Sequence, residues 1–214
     1  MKKLKVIILD FDGVVLESNE VKVNGFKKLF SKHPELYEEM MEFNEKNISI
    51  SRYKKFEHLA NLLNSDSKDL FVETLAENFS EIIQEEMNSA PFVKGAISFI
   101  KKNRSKYTVH LASVTPEKEL LDLLRRRNLL NLFKSVYGCP PWTKELAIKD
   151  IMRKEGVMPS EVLLIGDSAG DQNAAKACDI NFIGRDSGLI FSTPLPLAFS
   201  NMDEIELYVD ANYE

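Results

Sequence analysis

Two aspartates one residue apart, Asp10 and Asp12, follow the apolar run Val6-Ile7-Ile8-Leu9 and precede Gly13. A carboxylate so placed can attack phosphorus and form an aspartyl phosphate, which splits one difficult displacement into two easier ones. A second carboxylate in the turn that follows can protonate the leaving oxygen and later deprotonate water. Ser113 ends a second apolar stretch, in Leu111-Ala112-Ser113-Val114-Thr115, and Lys144 follows the Pro140-Pro141 turn. Asp167 and Asp171 end a third, in Leu163-Leu164-Ile165-Gly166-Asp167-Ser168-Ala169-Gly170-Asp171. Phosphate monoesters hydrolyse so slowly unaided that an enzyme must supply on the order of 20 kcal/mol of transition-state stabilisation. Most of that comes from positioning and from charge balance around the phosphoryl group.

The remaining residues can meet those needs. Ser113 and the amides after it, Val114 first, can hydrogen-bond phosphoryl oxygens, and Lys144 adds a point charge. Backbone at Phe11 and Gly13 completes the expected phosphate-binding set. Asp10, Asp167, Asp171 and the carbonyl of Asp12 offer hard oxygen ligands of the kind that suit Mg2+. A lysine in the first turn of a helix opposes the helix dipole, and an anion bound beside Lys144 would account for it. Each feature has a plainer explanation by itself: a turn, a strand-end hydroxyl, a solvated lysine, a helix cap. Their joint occurrence, in order and at the ends of different apolar runs, is what carries the functional reading.

The elements that must position these residues follow from hydrophobic period. Residues 4–10, built on the apolar run Val6–Leu9 and followed by a glycine turn, and the apolar run 162–165 show the pattern of strands buried on both faces. Strands are also expected at 107–112, 133–138 and 181–184, and helices at 92–103, 143–154, 171–178 and 202–209. Thr115 and Pro116 supply a cap and a first-turn proline for a helix reaching 128. Residues 20–88 are different, with helical patterns at 20–31, 34–46, 50–63 and 66–88 and no convincing strand. Ser49 or Ser51 can cap the third of these, and Asp66 or Ser67 the fourth. The expected fold class is therefore α/β: a doubly wound, Rossmann-like parallel sheet with an inserted all-α subdomain. Residues 1–15 and 91–214 would form the core and 16–90 the insertion. In such a sheet the carboxyl ends of the strands share one crevice, and the insertion would be placed to cover it.

Bulk properties limit the classes further. A chain of 214 residues with 44% hydrophobic and 29% charged residues is ordinary for a globular protein. A formal charge of −5 leaves no electrostatic footprint for nucleic acid or an anionic membrane. Arg125-Arg126-Arg127 reads as the solvated last turn of a helix. Cys139 and Cys178 form no disulfide framework or zinc spacing, and His33, His58 and His110 are scattered. The basic start followed by only four apolar residues is too short for a secretory core. No stretch approaches a membrane span. A cytoplasmic monomer or small homo-oligomer acting on a small phosphorylated metabolite is expected, without nucleic-acid or membrane partners.

Asp10-Phe11-Asp12-Gly13-Val14-Val15, Ser113, Lys144 and Gly166-Asp167-Ser168-Ala169-Gly170-Asp171 resemble the four motifs of the haloacid dehalogenase-like hydrolase superfamily. The helical insertion after the first motif is similar to that of the phosphoglycolate phosphatase and β-phosphoglucomutase branch. By that resemblance Asp10 is the nucleophile and Asp12 the acid/base. Asp10, the Asp12 carbonyl and Asp167 would ligate Mg2+, and Asp171 would ligate it or orient a metal-bound water. The third-motif lysine is often followed by proline in the family, whereas Glu145 follows Lys144 here; Lys149 is the alternative. An aspartate at position 12 points within the family to phosphomonoesters and sugar phosphates, because true dehalogenases lack it and transport ATPases have threonine.

In that branch the insertion recognises the leaving alcohol. Arg52, whose planar fork suits a carboxylate or a second phosphate, and Lys22 are the candidates, each equally explicable as an exposed charge. Trp142 could line the crevice or pack in the core. Two further functions compete with a Mg2+-dependent phosphatase. One is a phosphomutase on the same scaffold. The other is a signalling receiver module phosphorylated on aspartate, in which the lysine would come last rather than before Asp167.

Overall fold

The protein is described by a computed structural model covering residues 2–214. The chain divides into two compact units, one formed by the chain up to Glu17 together with Pro91–Glu214, the other Ser18–Ala90. The first unit opens with strand β1 (Val6–Leu9), whose side chains are all buried, as its unbroken apolar sequence requires.

The helical unit comprises α1 (Asn19–Phe30), α2 (Tyr37–Lys46), α3 (Arg52–Leu62) and α4 (Lys68–Ser89). Residues Pro34–Leu36, expected to open a helix, form a separate 3₁₀ turn. Its proline fits the first turn, where no donor is lost. Phe26 of α1 and Phe79 of α4 pack as a tilted pair with ring centroids 4.3 Å apart, and Phe30 stacks on Phe26 while Phe56 adjoins it. These rings, with Leu29, Leu59 and Ile83, form the core of the unit. Ser51 and Ser67 occupy the N-cap positions of α3 and α4, yet neither side chain caps the helix.

The first unit resumes with α5 (Ala96–Asn103), β2 (Thr108–Ser113), α6 (Glu117–Arg126) and β3 (Val136–Gly138). It continues through α7 (Lys144–Glu155), β4 (Val162–Gly166), α8 (Ala169–Ala177), β5 (Asn181–Arg185), β6 (Ala198–Phe199) and α9 (Met202–Asn212). The sheet is parallel throughout, in the order β3-β2-β1-β4-β5-β6. Ile8, Ala112 and Leu164 pack under Ile148 and Ile151 of α7 and Ala174 and Ala175 of α8. Trp142 joins this cluster edge-to-face on Tyr137, with ring centroids 5.1 Å apart, so packing explains it.

Two further expectations are corrected, and one strand is added. Residues 92–95 are not helical: Phe92 bridges Leu16 in antiparallel fashion, and the Val93 amide donates to the Val15 carbonyl. Residues 198–199 add an edge strand that two half-buried residues do not announce. Thr115 does not cap α6, because its hydroxyl is engaged elsewhere. Arg125 and Arg126 do end α6 in its last turn, whereas the Arg127 guanidinium lies 4.5 Å from the Phe92 ring. The buried His110 pairs through Nδ1 with Ser135 Oγ at 2.6 Å.

Candidate active site

The register of the sheet determines which side chains meet. Leu9 pairs with Leu111 on one side and Ile165 on the other, so Asp10 emerges level with Ala112 and Gly166. The Asp10 amide still donates to the Ile165 carbonyl at 2.9 Å, which continues the ladder one step past β1. Ser113 ends β2 opposite Gly138 of β3, and Asp167 directly follows β4. β1 lies between β2 and β4, where the strand order reverses, and open α/β sheets bind ligands outside the strand ends at that point.

Oxygens of Asp10, Asp167 and Asp171 lie within 4.8 Å of one another, and all three residues are buried. Asp171 reaches this cluster because residue 166 is glycine. A β-carbon there would lie 2.2 Å from the Asp171 β-carbon, an impossible overlap. Asp171 also belongs to the capping box of α8, accepting from the Ser168 amide at 3.2 Å and the Ser168 hydroxyl at 2.7 Å. Thr143 caps α7 by accepting from the Leu146 amide at 3.2 Å, which directs Lys144 from the first helical position. The Lys144 ammonium hydrogen-bonds Asp171 and lies 2.8 Å from Asp10 Oδ1. That second contact is an ion pair without hydrogen-bond alignment, so Asp10 Oδ1 is buried with no hydrogen-bond donor.

Charge at the cluster is unbalanced. Burial, followed by the charge of Asp171, pushes the Asp10 carboxyl well above the ordinary carboxylate range; Lys144 opposes the shift, and Asp167 and Asp12 add to it. Burial alone would lower the Lys144 pKa, but Asp10 and Asp171 outweigh it and hold the ammonium charged. One lysine thus faces several buried carboxylates. Buried charge of that kind is costly unless compensated. A divalent cation among hard oxygens fits both the orphaned Asp10 oxygen and the excess of negative charge.

Asp12 lies in the turn after β1, and its Oδ2 accepts a hydrogen bond from Thr115 Oγ1 at 3.2 Å. The Thr115 amide in turn donates to Ser113 Oγ at 3.1 Å, so one short segment after β2 touches both groups. Phe11 is fully buried. The first unit therefore brings together Asp10, Asp12, Ser113, Lys144, Asp167 and Asp171. Sequence reasoning gives Thr115 only a capping role and does not single out Ser168; the structure adds their bonds to Asp12 and Asp171.

Arg52 and Lys22 belong to the helical unit. Arg52 is not a solvated surface charge: it is 6% exposed, lies 4.6 Å from the Phe79 ring centroid and donates to Ser80 Oγ at 2.9 Å. One turn along α3, Lys55 is 2% exposed. It donates to Asn44 Oδ1 at 2.8 Å and stands 4.6 Å from the Phe26 ring centroid. Burial first, and then the charges of Lys22 and Arg52, lower its pKa to about 7. Above that pH the folded chain holds Lys55 neutral while the unfolded chain stays protonated up to about pH 10.4. The unfolded state then binds more protons, so stability rises with pH across this window. Lys55→Met is expected to remove the rise. Compared by urea unfolding at pH 6 and pH 9.5, the variant's advantage over wild type should shrink by a few kcal/mol. A pH-independent difference would show that Lys55 titrates normally.

A parallel sheet with a carboxylate cluster at its carboxyl edge and a helical insertion after the first strand is the arrangement expected of a phosphohydrolase. A sequence model described as haloacid dehalogenase-like hydrolase matches residues 7–185, and the chain belongs to that family. A phosphorylated carbohydrates phosphatase of Thermotoga maritima is 24% identical over 188 residues, covering 84% of each chain. Among solved structures, a haloacid dehalogenase-like hydrolase from Bacteroides fragilis superposes with a TM-score of 0.75 at 20% identity, covering 95% of this chain and 100% of its own. A predicted phosphoglycolate phosphatase from Haemophilus somnus gives 0.74 at 15% identity, with 98% and 99% covered. The protein is a phosphohydrolase whose chemistry is phosphoryl transfer through an aspartyl phosphate. Among the described residues, no helix is long and apolar enough to cross a membrane.

Proposed function

We propose that the protein hydrolyses a small phosphate monoester of the sugar-phosphate or phosphoglycolate class. The observation that carries this reading is the convergence of Asp10, Asp167 and Asp171 within 4.8 Å, with the Lys144 ammonium among them, beside Asp12. Asp10 attacks phosphorus and Asp12 protonates the departing alkoxide; Asp12 then takes a proton from the water that opens the aspartyl phosphate. Ser113, Lys144 and the amides at Phe11 and Val114 hold the phosphoryl oxygens, whereas the Gly13 amide is already bonded to the Leu16 carbonyl. Asp10, Asp167, Asp171 and the Asp12 carbonyl would hold Mg2+, which supplies charge neutralisation at the transferring phosphoryl group. Arg52 and Lys22 are the helical unit's candidates for binding a carboxylate or a phosphate. The name of the Thermotoga maritima relative supports a phosphorylated carbohydrate over other esters.

A panel of phosphate monoesters assayed with Mg2+ and with EDTA tests the proposal. Release of inorganic phosphate is expected with Mg2+, falling by at least about 10²-fold when the metal is chelated. Undiminished release in EDTA would remove the metal from the scheme. Isomerisation of a hexose phosphate primed by a bisphosphate, outrunning phosphate release, would make the enzyme a phosphomutase instead.

A further inference from the structure

Arg185 ends β5 and is nearly buried. Its Nη1 donates to the Gly13 carbonyl at 3.1 Å and to Glu17 Oε2 at 3.0 Å, while Nη2 donates to Glu17 Oε1. The two acceptors lie on either side of the turn that carries Asp12 onward from β1. That turn is tight. Gly13 has φ of +72°, a conformation natural only to glycine. The Gly13 amide donates to the Leu16 carbonyl at 2.7 Å, and the Val15 and Leu16 amides share the Phe11 carbonyl. Past the turn, the Glu17 amide donates to the Pro91 carbonyl at 2.9 Å.

We propose that Arg185 is a positioning residue for the reaction: its guanidinium holds the Gly13 carbonyl and the Glu17 carboxylate at once and so sets the turn from which Asp12 works. The inference rests on the reading of Asp12 as acid and base. Arginine is suited to the task because its planar fork addresses two acceptors in fixed directions, which a lysine cannot do. Global stability explains the group poorly. A partly buried ion pair adds little net stability, and Arg185 Nε is buried without a hydrogen-bond partner, an arrangement that a purely stabilising role would not favour. Fixed geometry is what such a pair supplies. An acid displaced by a fraction of an ångström still ionises but no longer reaches the leaving oxygen.

The test compares Arg185→Gln and Glu17→Gln with wild type on glycerol phosphate, whose alkoxide needs protonation, and on p-nitrophenyl phosphate, whose leaving group does not. For Arg185→Gln, kcat/KM on glycerol phosphate is expected to fall about 10- to 100-fold, and on p-nitrophenyl phosphate by less than about threefold. Glu17→Gln should repeat the pattern more weakly, and it decides the matter if Arg185→Gln fails to fold. Hydrogen exchange, independent of turnover, should quicken at the Gly13, Val15 and Leu16 amides in both variants and stay unchanged along β1. Equal losses on both substrates, no loss on either, or unaltered exchange would overturn the assignment. A wild-type enzyme that hydrolyses neither ester would count against the proposed function instead, and exchange alone would then judge the role of Arg185.

Discussion

Asp10→Asn should abolish turnover, by at least about 10⁴-fold for every phosphate monoester, because an amide cannot form the covalent intermediate. The same change is expected to leave the fold intact. Asp10 is 6% exposed and repelled by Asp171, Asp167 and Asp12, so replacing its carboxylate with a neutral group of the same shape relieves charge crowding. Lys144 keeps its hydrogen bond to Asp171. Thermal unfolding of the metal-free variant should therefore match or exceed that of wild type. Turnover within a factor of ten of wild type would refute Asp10 as the nucleophile. Loss of both activity and fold would indicate that the carboxylate holds the strand end together.

The second large effect is expected from Asp12→Ala. Removing an acid and base typically costs about 10²–10⁴-fold in rate. The loss should be largest in kcat/KM for alkyl phosphates, whose leaving groups are poor, and smallest for aryl phosphates. In the proposed scheme water activation in the second step also depends on this carboxylate, so kcat should fall for all substrates once dephosphorylation limits turnover. Thr115 donates to Asp12, and its loss would disturb the same group. A loss in kcat/KM that is equal for alkyl and aryl esters would exclude Asp12 as the proton donor.

The strand ends were legible because each belongs to an apolar run that no surface element could contain. Val6 to Leu9 and Val162 to Ile165 are fully buried, and such runs can only be central strands. Chemistry-bearing residues directly after them then had to lie on one edge. The insertion was legible from the change of period alone. Other features were hidden for physical reasons. Phe92 and Val93 resemble the start of a helix, but their backbone is taken by Leu16 and Val15, residues far away in sequence. Thr115 has two uses open to its hydroxyl, and only the fold brings Asp12 within its reach. Glu17 and Arg185 are 168 residues apart, so no local pattern joins them. Lys55 looks like any helical surface lysine until the rings of Phe26 and its neighbours close around it.

The chain leaves the α/β unit after Glu17 and re-enters at Pro91, and those two residues are joined by a single backbone hydrogen bond. Entry and exit are therefore almost one point. Whatever is spliced between them adds little closure entropy to the sheet and intrudes on none of its ladders. A spliced segment so attached can be lengthened or rebuilt without disturbing the strand ends that carry Asp10 and Asp167.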